Sequence, residues 1–243
     1  MKASSQTIEH SRNHNRTLVI MAKAPRPGAV KTRLTRSLSL PAVTALYSCL
    51  LGDTLALARS LTGVEVAIMC PSADVDELAG LAGNGVRVVA QKGEGLAAAL
   101  TSVFAHFAKA GRQRIIAFNS DSPHLPASVL ENAFKVLATH DVVVGPTHDG
   151  GYYLVGAKRA HPALFDDDRM GSKSALEALL ACARRLQLSV GFTVRFYDID
   201  VPGDLTRLAT ELRLAPARAP RTAAWFTEWG PAVSQLRTGT GDL

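Results

Sequence analysis

Four short stretches of this chain carry charge where a phosphorylated ligand and a hard cation would need it. The first is Lys23-Ala-Pro-Arg-Pro-Gly-Ala-Val-Lys-Thr-Arg-Leu34. Two prolines and Gly28 fix a loop, and the backbone at Gly28 can approach a ligand closely. Lys31 supplies a point charge, Arg33 a planar fork that fits two phosphate oxygens, and Lys23 a further cation. With Arg26 and Arg36 they form a cluster with no acid between them, which predicts a small anionic ligand. A helix that follows would add its N-terminal N–H groups. The stretch is not a P-loop, because that motif needs Gly directly before the Lys and a longer glycine spacing.

The other three stretches supply acids and glycines. In Ile115-Ile-Ala-Phe-Asn-Ser-Asp-Ser-Pro-His-Leu-Pro126 a hydrophobic run ends at Asn-Ser-Asp, and Pro123 stops the backbone from continuing as strand or helix. Asp121 is thereby displayed at a strand's carboxyl end, where it suits Mg²⁺ or Mn²⁺, or caps the helix that follows. In Tyr197-Asp-Ile-Asp-Val-Pro-Gly-Asp-Leu205, strand alternation puts Asp198 and Asp200 on one side. Two carboxylates so close repel unless a cation or proton intervenes. Asp204, after Pro202 and Gly203, reads as a helix-start residue. In Gly145-Pro-Thr-His-Asp-Gly-Gly-Tyr-Tyr-Leu154, Gly150 and Gly151 permit close approach or positive φ. Asp149 there bonds a ligand hydroxyl or holds the turn, and Tyr152 offers a ring for stacking. The Gly-bounded segment from Gln91 to Leu100 is a weaker candidate for facing a base or an acceptor. His124 and His148 read as hydrogen-bonded structural residues.

Something must hold these stretches at one place, and the hydrophobic pattern says what. Strands are expected at 18–21, 64–69, 86–90, 114–118, 141–145, 152–156 and 193–197. Helices are expected at 41–61, 74–81, 96–109, 127–138, 172–188 and 202–212. This β-α alternation predicts an α/β fold, a mostly parallel sheet with helices on both faces. The turn at Asp149–Gly151 is too short for a helical crossover, so the sheet is mixed. In such sheets ligands bind beyond the carboxyl ends of the strands, where all four stretches fall.

Composition narrows the class. With 47% hydrophobic and 20% charged residues over 243 positions, the chain reads as one globular domain. Residues 1–17 read as a disordered or extended tail, 18–212 as the domain and 213–243 as a C-terminal extension. In that extension Trp225, Phe226 and Trp229 form an apolar patch that docks on the domain, or alternatively a homodimer contact. No stretch approaches the length of apolar residues that a membrane span needs, and the polar start is not a secretory signal. Three widely spaced cysteines read as buried reduced thiols, and a cytoplasmic location follows. Of the net charge of +6, the two ends carry +2 each, so no basic surface is laid out for nucleic acid.

Taken in order, the Lys23–Leu34 loop, the Asn-Ser-Asp-Ser-Pro run, Gly145-Pro with Asp149-Gly-Gly-Tyr-Tyr, and the Asp-Ile-Asp-Val-Pro-Gly-Asp-Leu ending resemble the bacterial glycosyltransferase-like family DUF2064 over about residues 18–212. Members of that family are often described as associated with radical-SAM proteins. It is similar to the guanylyltransferases that activate phospholactate, which share the Lys-Thr-Arg-Leu loop. The resemblance implies a single-domain, GT-A-like (Rossmann-like) fold of the nucleotide-diphospho-sugar transferase superfamily. It also implies Asp121, Asp198 and Asp200 as ligands of Mg²⁺ or Mn²⁺, with Lys31 and Arg33 on phosphate. Two enzyme readings follow: nucleotidyl transfer from a nucleoside triphosphate to a small phosphorylated acceptor, and glycosyl transfer from a nucleotide-sugar, with Asp149 touching the sugar or acting as base. A catalytically silent nucleotide-binding subunit is the alternative of another class.

Overall fold

The computed structural model describes residues 15–235. Its strands are β1 (Arg16–Met21), β2 (Glu65–Cys70), β3 (Arg87–Ala90), β4 (Arg114–Asn119), β5 (Val142–Pro146), β6 (Tyr152–Ala157) and β7 (Val190–Phe192). The α-helices are α1 (Leu40–Arg59), α2 (Val75–Ala82), α3 (Gly95–Lys109), α4 (Ala127–Thr139), α5 (Ala175–Arg185), α6 (Pro202–Leu214) and α7 (Pro220–Gln235). All the strands join one sheet in the order β3-β2-β1-β4-β6-β5-β7. β1, β2, β3 and β4 pair in parallel, β6 runs antiparallel to both its neighbours, and β7 is parallel to β5. The expected mixed, mostly parallel sheet is therefore present, with the short turn before β6 causing the reversal.

Strand alternation builds a core on each face. Leu18 and Ile20 of β1 join Ile116 and Phe118 of β4 beneath α1, α2 and α4, where Leu51, Leu55, Leu78, Leu130 and Phe134 are buried. Val19, Ile115 and Ala117 face the opposite way, onto Leu100, Phe104 and Phe107 of α3 and Leu179 of α5. A third cluster is built by α1, α6 and α7 with no strand residue in it. It joins Leu34, Leu46 and Leu50 to Ile199, Leu205, Leu208 and Trp225.

Several expectations need correction. The last strand is Val190–Phe192, not 193–197. Its partner β5 pairs from Val142 to Val144 and then ends in the irregular Gly145-Pro146 step, where proline offers no N–H. Only the bridge between Thr147 and Phe196 continues the pairing. Asp198 and Asp200 thus lie outside any strand, although the burial alternation survives, with Tyr197 and Ile199 buried and the two acids half-buried. The helix expected at 172–188 is shorter; Gln187, at φ +56°, turns the chain just after it. β1 starts at Arg16 rather than 18, and the rest of the expected tail, 1–14, lies outside the described residues. α1 is 20 residues long and apolar enough to meet the length and composition of a membrane span, contrary to the sequence reading. More than half of it is buried inside the molecule. At the extension expected from 213, α6 runs on to Leu214, and the expected docking of the apolar patch is present: α7 packs on α1 with Trp225 buried and its Nε1 donating to the Ala42 carbonyl at 3.1 Å.

Candidate active site

The loop after β1 owes its shape to one turn. Pro27 and Gly28 occupy its centre, Gly28 has φ +76°, and Ala29 N donates to Arg26 O at 3.1 Å. That is the arrangement in which only glycine is unstrained at the third position. No atom outside its neighbours lies within 4 Å of where a Cβ would stand, so conformation and not space demands this glycine. Downstream, Lys31 itself sits in the left-handed region, φ +49°, an uncommon state for a side-chain-bearing residue. The loop is braced from α1 by Tyr47, whose hydroxyl accepts from Lys23 N at 3.0 Å and lies 3.1 Å from Ser120 Oγ at the end of β4.

Lys31 reaches across to the acids. Its ammonium, with the side chain only 6% exposed, lies 2.8 Å from Asp121 Oδ2 and 3.9 Å from Asp200 Oδ1. Arg33, mostly exposed, pairs with Asp200 Oδ2 through Nη1. Two hydrogen bonds tie the acid-bearing segments together: Ile199 N to Asp121 O at 3.0 Å, and Ser122 Oγ to Tyr197 O at 3.1 Å. Asp200 N and Val201 N both donate to Asp204 Oδ2, at 2.9 and 2.8 Å, so Asp204 starts α6 as expected. Asp198 lies within electrostatic range of Lys31, Asp121 and Asp149. Burial pushes its carboxyl up to about 6; Lys31 works against that rise, and the charges of Asp121 and Asp149 add to it.

A cleft of about 1000 Å³ opens over this arrangement, at the carboxyl ends of β1, β2, β3 and β4. Lys23, Lys31, Arg33, Asp121 and Asp200 line it, together with Tyr47, Ser120 and the Gln91–Leu96 loop. The remaining candidates stand outside that lining. Gly28 neighbours the lining residue Ala29. Asp149 holds its own turn, accepting from Thr147 Oγ1 at 2.5 Å and Gly151 N at 3.3 Å. Burial would raise its pKa, but those hydrogen bonds outweigh it and hold the carboxyl below the ordinary value. Gly150, at φ +93°, lies against the Lys173 backbone, where a Cβ would overlap the carbonyl oxygen. Tyr152 packs beside the cluster under α3 and α5, with its hydroxyl 3.7 Å from Met170 Sδ.

The basic loop is less unbalanced than its own sequence indicates. Asp74 and Glu77, from the segment after β2, pair with Arg26 at 2.6 and 2.9 Å. His124 also departs from expectation: it is fully buried beside Phe196 and Tyr197, and neither ring nitrogen has a hydrogen-bond partner among the described residues. Burial, with Arg218 and Arg207 nearby, drives its pKa down to about 3. Tyr47 and Ser120 escaped notice in the sequence. Tyr47 falls among Leu46 and Leu50 on a core helix, and nothing local marks its hydroxyl as facing the cleft.

The chemistry of the donor set bears on a metal. Asp121, Asp198 and Asp200 offer only carboxylate oxygens, which suit a hard cation. Among the described residues, however, no group of three or more acids, histidines or cysteines closes around a single ion. The ammonium of Lys31 stands between Asp121 and Asp200 instead. The residues fit a cation that takes one or two carboxylates and draws its other ligands from phosphate and water.

The profile of the family described as "Uncharacterized protein conserved in bacteria (DUF2064)" matches residues 54–172. The resemblance read from the motifs therefore holds, over a narrower span than 18–212; the basic loop and the Asp198-Ile-Asp200 ending lie outside it. No curated protein matches the chain. Among solved structures, a candidate nucleotide-diphospho-sugar transferase from Desulfovibrio desulfuricans G20 is 26% identical, with a TM-score of 0.84 over 91% of this chain and 97% of its own. A 4-diphosphocytidyl-2C-methyl-D-erythritol synthase from Anaerococcus prevotii DSM 20548 shares the fold at 10% identity, TM-score 0.56, covering 83% of this chain and 97% of that one. A cytidylyltransferase from Leptospira borgpetersenii does so at 12% identity and TM-score 0.53, covering 90% and 95%. The fold is that of the nucleotide-diphospho-sugar transferases and cytidylyltransferases.

Proposed function

We propose that this protein is a nucleotide-using transferase that moves a nucleotidyl group from a nucleoside triphosphate to a small phosphorylated acceptor, with Mg²⁺ or Mn²⁺ as cofactor. The observation that carries this reading is the facing of Lys31 and Arg33 on one loop with Asp121 and Asp200 across the same cleft. In the reaction an acceptor phosphate oxygen forms a bond to the α-phosphorus. The bond from that phosphorus to the bridging oxygen breaks, and pyrophosphate leaves with the electron pair. The chain's own task is positioning and charge neutralisation. Lys31 and Arg33 hold the departing phosphates, Tyr47 and the Pro27-Gly28 turn fix the loop that carries them, and the Gln91–Leu96 loop bounds the far side of the cleft. Asp121 and Asp200, with Asp198 behind them, would hold the metal, which supplies Lewis-acid stabilisation of the phosphate charge.

A second reading, glycosyl transfer from a nucleotide-sugar, is favoured by the likeness to the Desulfovibrio protein. One screen separates the two: thermal shift with nucleoside triphosphates and with nucleotide-sugars, each with and without Mg²⁺ or Mn²⁺, since a ligand of the folded state raises its apparent stability. Stabilisation by a triphosphate and by no nucleotide-sugar is expected. The reverse pattern establishes the second reading, and indifference to every nucleotide removes both.

A further inference from the structure

Lys31 and Arg33 are cations expected to meet phosphate, yet both spend their charge on carboxylates of the same cleft. Lys31 is nearly enclosed against Asp121 in a left-handed backbone state. Such a state is strained for a side-chain-bearing residue and persists only where the surroundings hold it. Arg33 is the opposite case, an exposed fork with one arm on Asp200. A polyphosphate carries more charge than a carboxylate and accepts from several donors at once, so it competes well for both cations. Once they turn to phosphate, Asp121 and Asp200 lose their counter-charges beside the half-buried Asp198. Carboxylates left together in that way require another cation.

We propose that Lys31 and Arg33 are the resident counter-cations of Asp121 and Asp200, and that phosphate binding pulls them away and so creates the divalent-metal site. This deepens the proposed function and rests on it for the identity of the phosphate ligand. The exchange makes one substitution act in opposite directions on two ligands. Lys31→Met removes a competitor for Asp121 and strengthens metal binding in the absence of nucleotide, while it weakens nucleotide binding. A loop whose only role is to hold phosphate gives the second effect without the first.

The test titrates Mn²⁺ alone and follows free Mn²⁺ by electron paramagnetic resonance, in the native protein and in Lys31→Met, Arg33→Met and Lys23→Met, each checked for folding by circular dichroism. Lys23 lines the same cleft but forms no ion pair with Asp121 or Asp200. Lys31→Met is expected to bind Mn²⁺ roughly five- to a hundredfold more tightly than native, the usual span of a coupling between sites. Arg33→Met follows with a smaller gain, and Lys23→Met is unchanged. Native affinity in folded Lys31→Met and Arg33→Met overturns the exchange, as does an equal gain in Lys23→Met, which would mark a general field effect. If Lys31→Met does not fold, the exposed Arg33→Met decides alone: a gain supports the exchange and native affinity overturns it. A native protein that no nucleotide stabilises defeats the proposed function instead, and does so whatever Mn²⁺ does.

Discussion

Asp198 is the site residue with the plainest consequence for stability. Its carboxyl titrates at about 6 in the folded protein against 3.8 ordinarily, because burial penalises the charge, Lys31 offsets part of this, and Asp121 and Asp149 add to it. As pH rises between those two values the unfolded chain gives up its proton while the native one keeps it. The native state binds more protons, so this group's contribution to stability falls across that window and is flat above it. Asp198→Asn removes the fall. Urea denaturation of both proteins in chelator-treated buffer, at several pH values spanning the window, should show the variant gaining on native as pH rises. A difference that stays constant with pH would mean Asp198 titrates as an ordinary surface acid. At this scale the sequence could be read well for residues whose role is local, such as Gly28 in its turn and Asp204 at its helix start. It could not be read for Lys31 or Arg26, because their acidic partners stand far along the chain: Asp121 and Asp200 for one, Asp74 and Glu77 for the other.

Elements were recoverable wherever the apolar period decided them, and the six strands from β1 to β6 lie within two residues of their expected limits. The exception has a physical cause. Residues 193–197 have the β-branched and aromatic character of a strand, but their pairing with β5 is interrupted: Thr193 N donates to Val144 O at 2.9 Å and Phe196 N to Pro146 O at 3.0 Å, on either side of the irregular Gly145-Pro146 step, and no continuous ladder forms. Within that stretch the Tyr153 hydroxyl lies 2.6 Å from Thr193 Oγ1 and donates to Val194 O at 2.9 Å. The docking of α7 was legible in its apolar Trp225, Phe226 and Trp229, but the polar contact that seats its start was not. Its first turn is capped from another helix: Asp53 of α1, buried, accepts from Arg221 N at 3.2 Å and from Thr222 N and Oγ1 at 2.8 Å. Nothing local to Asp53, an acid on an otherwise apolar helix, marks its partners, which stand far along the chain. Asp53→Ala strands those donors in the interior and is expected to cost about 1–3 kcal/mol, the desolvation penalty of unpaired buried groups with the loss of a cap. Chemical denaturation measures it, and a loss near zero would show that water reaches the helix end.

At the scale of the whole molecule, the third core cluster connects the C-terminal helix to the cleft. Leu34 follows directly on Arg33, Ile199 lies between Asp198 and Asp200, and both are buried in the cluster that Trp225 closes. The basic loop and the acidic ending are therefore backed by one apolar body, separate from the two sheet faces. That explains how a segment outside any strand can hold two acids in register, and it gives the extension a role in the site without any contact to a ligand. Trp225→Ala should cost about 3–5 kcal/mol as a large-to-small core change. Its sharper signature is local. The amides of Leu34 and Ile199 donate to Lys31 O and Asp121 O, so hydrogen exchange reports on each segment directly. Under native conditions both amides should lose protection in Trp225→Ala by more than the amides of β1 and β4, which are buried on the sheet faces, and nucleotide affinity should weaken along with them. A uniform loss of protection across the molecule would mean that Trp225 supports global stability alone and that the cleft depends on the sheet.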